Sequence, residues 1–146
     1  SIIMYLVQKL LNYSLIIINI LFSVNCLAQQ TDAVFIGDVK KGKTIIASCY
    51  YLNDSQFDIE FNDVLHENKE VSFSVDNNEF KELYDDILIG LVQKPQYDII
   101  KKYEVGTLTI HFSKSNFQFM WYCNKLLSVS PFINKKKLIL FLGENE

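Results

Sequence analysis

Glycine and proline are scarce in this chain of 146 residues, with 5 of the first and 2 of the second. The glycines, at positions 37, 42, 90, 106 and 143, stand apart from one another, so no glycine loop can cradle a phosphate. So few breakers also exclude a low-complexity linker, and no segment repeats another. Only two histidines occur, His66 and His111, and neither shares a helix face with a second one as zinc ligation requires. The His-Glu-x-x-His and Gly-x-Ser-x-Gly motifs are missing, and so is the acidic spacing around a central glycine that marks a calcium loop. No basic stripe is present either. The net charge is −3, and the first 28 residues hold Lys9 and no acid, so without them it becomes −4. Nucleic acid is disfavoured as a partner, because neutralising phosphates takes clustered positive charge. No motif asks for a cofactor or a resident metal.

What is present begins with an aromatic hairpin. Thr107 to Asn124 alternates with period two on both sides of Ser113-Lys114-Ser115-Asn116. Leu108, Ile110 and Phe112 share a face with Phe117, Phe119, Trp121 and Cys123. Thr107, Thr109, His111, Gln118, Met120 and Tyr122 project from the other face. Aromatic and aliphatic partners across such a pair stabilise a sheet, so this hairpin is expected to centre the core.

Upstream, 33–39, 43–52, 56–62 and 70–75 read as four strands of a meander. Residues 43–52 are apolar on both faces, as suits a strand in the middle of a covered sheet. The period then changes. Phe80, Leu83, Tyr84, Ile87, Leu88 and Leu91 form a helical stripe, opened by an Asp76–Glu79 capping box and stopped at Lys94-Pro95. The connector 96–106 is less regular, with one helical turn expected at 98–102. Near the end, Asn134 is expected to cap a short helix with Leu138, Phe141 and Leu142 inward, although LILFLG also suits an edge strand. The resulting fold class is α+β: an antiparallel sheet of about six strands, one main helix across a face, and a short C-terminal helix.

The first 28 residues read as a signal peptide. Lys9 supplies the positive region, residues 14–24 the apolar run, and Cys26-Leu27-Ala28 a small-x-small cleavage site. The run falls short of the roughly 20 residues of a spanning helix, but counted from Tyr5, with Lys9 and Asn12 tolerated, the segment could span, so an uncleaved anchor is the alternative. Cys26 invites lipidation, but Ser23-Val24-Asn25 before it departs from that pattern. Residues 29–146 then form a single domain. The Ala28-Gln29 junction and the stretch Asn134-Lys135-Lys136-Lys137-Leu138 with Phe141-Leu142-Gly143 resemble small exported proteins of Bacteroidota-type bacteria. The resemblance implies a compartment, periplasmic or extracellular, and no chemistry.

Cys49 and Cys123, the cysteines left after cleavage, both fall at inward strand positions. They either pair, closing a long loop and stabilising by about 4 kcal/mol, or remain buried thiols. A Cys–His nucleophile is not expected, because an inward cysteine and an outward histidine on neighbouring strands do not meet, and no catalytic residue is assigned. Asp63, His66 and Glu67 with Glu60 form the densest set of hard ligands, and Asp54 and Asp58 lie nearby. A solvated strand face and a surface loop account for the same residues. The candidate binding residues are His111, Tyr122, Gln118, Met120 and Thr109, on the hairpin face away from the core. The expected function is a non-enzymatic, exported binding module that contacts a protein or an envelope component and meets the membrane only through its leader. The alternative is a small hydrolase or ligand carrier built on His111 or His66 with nearby carboxylates.

Overall fold

A computed structural model describes residues 1–30, 33–53, 55–93 and 97–143, with side chains only for residues 1–18 of the first stretch. The chain divides into two units, Ser1–Ala33 and Val34–Glu146. The first unit is α1 (Ile2–Gln30), in which the apolar side chains from Ile2 to Ile18 are exposed and Lys9 sits 5.9 Å over the Tyr5 ring. Among the described residues, no helix is long and apolar enough to cross a membrane. The side chains of Cys26 to Gln29, around the expected cleavage site, lie outside the described residues.

The second unit is α+β. β1 (Val34–Lys41), β2 (Thr44–Leu52), β3 (Gln56–Asp63) and β4 (Lys69–Asp76) form an antiparallel meander, sheet A. The alternating sequence of β3 and β4 puts Ile59, Phe61, Phe73 and Val75 on one buried face and Asp58, Glu60, Ser72 and Ser74 on the other. β2 runs between β1 and β3, as its two apolar faces require.

α2 (Asn77–Gln93) follows directly. Its capping box forms as the sequence predicts: Asp76 N–H donates to Glu79 Oε1 at 2.9 Å, and Glu79 N–H donates to Asp76 Oδ1 at 2.8 Å. Leu83, Tyr84, Ile87 and Leu91 are buried, while Leu88 lies at the margin of the stripe and is 39% exposed. Phe80 stacks on Phe57 of β3 at 3.8 Å between ring centroids. Gly90 lets Phe112 approach so closely that a Cβ there would meet the ring at 2.2 Å. The expected stop at Lys94-Pro95 lies outside the described residues.

The remaining strands form a second antiparallel sheet, B, in the order β5 (Ile99–Lys102), β6 (Thr107–Ser113), β7 (Asn116–Cys123), β8 (Leu126–Val129), and β9 (Ile133–Asn134) also pairs with β7. Two elements differ from expectation. Residues 99–102 form a strand and not a helical turn, because pairing Ile99 with Ile110 and Lys101 with Leu108 extends the central hairpin. The hairpin also continues past Asn124: Asn124 and Lys125 adopt φ of 51° and 64°, a left-handed turn that returns the chain as β8. Among the described residues the strands thus number nine and split into two sheets.

The inner faces of the sheets meet through aromatics. Phe119 lies 6.4 Å from Phe61 and 5.7 Å from Phe73, and Phe73 stacks on Trp121 at 5.0 Å. One continuous core results, with Leu108, Ile110, Phe117 and Phe119 all at 0% exposure. The C-terminal segment is helical: Asn134 Oδ1 accepts from Lys137 N–H at 3.0 Å, a three-residue 3-10 turn follows, and α3 (Leu138–Leu142) buries Leu138, Phe141 and Leu142. α3 presses on β1 at Gly37, where a Cβ would lie 1.9 Å from the Leu140 carbonyl oxygen.

Candidate functional site

The outer face of sheet B is assembled by strand register. Ile100, Thr109, Met120 and Val129 form one row across β5 to β8, and Lys102, Thr107, Tyr122 and Leu127 form the next. His111 and Gln118 make a third row. All five residues singled out in the sequence, Thr109, His111, Gln118, Met120 and Tyr122, therefore share this face. Four are half-buried by their neighbours, and Tyr122 is 51% exposed beside Ile100 at 61% and Leu127 at 40%. The connector joins the sheet edge-on as β5, and α3 packs on β1 and β2 of the other sheet.

The polar groups of the face are held in place. His111 Nδ1 lies 2.7 Å from Asp98 Oδ1, with the Phe132 ring 6.1 Å away. Gln118 Nε2 donates to the Ser130 carbonyl at 3.1 Å. An imidazole oriented by a carboxylate is the base half of a catalytic triad, but chemistry also needs a nucleophile within reach of the ring. Cys49 cannot serve, being on the inner face of sheet A at 0% exposure.

The other histidine has a structural partner. His66 Nδ1 lies 2.5 Å from Asp63 Oδ2, and the Asp63 side chain is 1% exposed. Asp63 Oδ1 accepts from Leu65 N–H and from Val129 N–H, each at 3.0 Å. Burial raises the affinity of this carboxyl for a proton, but bonds from Val129, His66, Leu65 and Ser128 outweigh it and hold the group below its ordinary value. The expected cluster of Asp63, His66 and Glu67 is therefore a turn anchored to β8. Among the described residues, no group of three or more His, Cys, Asp or Glu is placed to hold a metal.

Cys49 and Cys123 are free thiols, so the pairing considered from the sequence does not form. The reason is topological. Cys49 lies mid-strand in sheet A opposite Ile59, whereas Cys123 ends β7 in sheet B opposite Leu126. Burial, with a smaller contribution from the Asp58 charge, pushes the Cys49 thiol up to about 12, so it packs as a small hydrophobe.

On the outer face of sheet A, the Asp58 and Glu60 carboxyls share a hydrogen bond and Glu70 approaches from β4. Burial first, then the bond to Asp58 and the charge of Glu70, push Glu60 up to about 7. Asp58 is also raised by burial, with bonds from Glu60 and Ser74 opposing. The sequence offers Glu60 and Asp58 as hard ligands beside Asp63, set against a solvated polar strand face. Their proximity follows from register, which the residue types alone do not reveal. No family model, curated protein or solved structure matches the chain.

Proposed function

We propose that the protein is a non-enzymatic binding module, exported to the cell envelope, that docks a protein or envelope component on the outer face of sheet B. The observation that carries this reading is the exposure of Ile100, Tyr122 and Leu127, by 61%, 51% and 40%, in two adjacent rows of an antiparallel platform. Amphipathic and aromatic side chains on a preformed surface are what the centre of an interface uses. His111 and Gln118 add directional polar groups, each fixed by a partner within the fold.

The test is affinity capture from an envelope fraction with the wild-type chain and with an Ile100→Glu, Tyr122→Ala double variant. Both positions are exposed, so circular dichroism and thermal unfolding should match the wild type. The variant should lose the partner that the wild type retains; equal recovery by both would sink the reading. Export is checked separately by intact mass: a chain starting at Gln29 supports it, and one retaining residues 1–28 places the protein at the membrane surface.

The Asp98–His111 pair favours a second reading, a small hydrolase or ligand carrier. Alanine at His111 and at His66 separates the two. An enzyme would lose its turnover, whereas docking centred on Ile100, Tyr122 and Leu127 would persist.

A further inference from the structure

Where the two sheets diverge, a cleft of about 460 Å³ opens between β4, the first turn of α2, the β5–β6 turn and the end of β7. Its apolar wall consists of Phe73, Trp121, Tyr103 and Val105, with Phe73 stacked on Trp121 at 5.0 Å. Its acidic groups are Asp76, Glu79 and Glu104, and no lining residue carries a positive charge. The capping box pins the first two carboxylates by one oxygen each, which leaves Asp76 Oδ2 and Glu79 Oε2 for a further donor. Beside the cleft, the Tyr103 hydroxyl is the one buried side-chain polar atom without a hydrogen-bond partner among the described residues. Burial, and the charges of Glu79, Glu82, Asp86 and Asp76, keep that hydroxyl protonated.

We infer that this cleft binds an alkylammonium group. The chemistry of the lining selects it. A bare metal ion gains nothing from a wall of four apolar or aromatic side chains and requires more oxygen ligands than the cleft converges. An anion would be repelled by three carboxylates. A neutral apolar ligand would leave the carboxylates unpartnered. An aliphatic chain ending in –NH3⁺ satisfies both halves: its methylenes lie along Val105, Tyr103 and Trp121 where they line the cleft, and its head meets the carboxylates. The head group arrives either on a free amine or on a lysine side chain of another protein. This site lies apart from the outer face of sheet B and does not depend on that face being a docking surface.

Trp121 is the single tryptophan of the chain, so its fluorescence reports on the cleft wall. The full chain is titrated with n-pentylamine, with n-pentanol as the neutral control, and with a capped Gly-Lys-Gly peptide beside its Nε-acetylated form. The amine should change Trp121 emission saturably where the alcohol does not. Glu104 is exposed and outside the capping box, so Glu104→Gln leaves the fold intact and should weaken amine binding by about fivefold, the scale of one partly screened ion pair. Tighter binding of the lysine peptide than of pentylamine identifies a protein side chain as the source, and the reverse order identifies a free amine. Equal responses to amine and alcohol, or an unchanged affinity in Glu104→Gln, would overturn the assignment.

Discussion

Asp63 and Val129 are 66 positions apart in sequence, yet the Asp63 carboxylate accepts the Val129 N–H at 3.0 Å and so ties the β3–β4 turn of sheet A to β8 of sheet B. Val64 N–H repeats the link to the Val129 carbonyl at 2.9 Å. A buried carboxylate is tolerated here because donors surround it: two backbone N–H groups, His66 and Ser128. A member of the densest set of hard ligands in the sequence is thereby a clasp between sheets.

Asp63→Ala should be among the most damaging single changes in the domain. It strands the buried Val129 N–H and removes the acceptor of the part-buried Leu65 N–H, which costs about 3 kcal/mol. Asp63→Asn keeps one acceptor oxygen and should cost less. The pH dependence has a definite sign. The folded-state value lies below the ordinary 3.8, so the carboxylate stabilises the fold above that pH. That contribution disappears as pH falls through the folded value. Urea unfolding of wild type and Asp63→Asn on both sides of the ordinary value checks this: the wild type should lose its advantage in acid.

Much of the fold was legible because β3, β4, β6 and β7 alternate cleanly and because α2 shows both a stripe and a capping box. The burial of Asp63 was legible too, though easily overlooked. It continues the inward parity of Phe57, Ile59 and Phe61, and reading the strand as ending at Asn62 hides it. β5 and β8 were not legible. Ile99-Ile100-Lys101-Lys102 and Leu126-Leu127-Ser128-Val129 lack period two, and their strand form comes from pairing with the central hairpin. The split into two sheets also escapes local pattern, since it depends on how β4 and β5 are separated by α2. The outer-face residues of sheet B were recovered together, because parity along β6 and β7 is a local property. The cleft gathers residues from five elements, and no local pattern contains it.

Close packing makes two glycines differ in a measurable way. At Gly37 an added methyl meets the Leu140 backbone oxygen, so α3 itself must move, which costs about 2 kcal/mol. At Gly90 it meets the far end of the partly buried Phe112 ring, a side chain that can shift where the α3 backbone at Gly37 cannot do so cheaply, and alanine gains up to about 1 kcal/mol of helix propensity. Thermal unfolding should therefore show Gly37→Ala clearly less stable than wild type and Gly90→Ala much closer to it. The reverse order would contradict the packing of α3 on β1.

The thiols give a prediction with a chemical readout. Cys49 is at 0% exposure with its thiol pushed up to about 12, whereas Cys123 is half-buried at the cleft. Under native conditions a maleimide should modify Cys123 first and spare Cys49 until unfolding, as followed by peptide mass mapping. A reductant should leave the melting temperature unchanged. A drop on reduction would mean that a disulfide contributes after all.

Glu60 predicts the opposite pH behaviour to Asp63. Its carboxyl rises from an ordinary 4.5 to about 7, so the folded state retains a proton that the unfolded chain releases earlier. Below the lower value both states are protonated and folding suffers no penalty. Between the two the unfolded chain alone ionises, and stability falls with rising pH until the folded-state carboxyl is ionised as well. Glu60→Gln mimics the protonated form and can still donate to Asp58, so it should flatten this slope. Chemical unfolding from about pH 5 to about pH 8 should show the wild type losing stability across the window while the variant stays level. At the upper end the variant should be the more stable of the two. Parallel profiles would mean that Asp58 and Glu70 do not perturb Glu60, and the three carboxyls would then be independent groups on a solvated strand face.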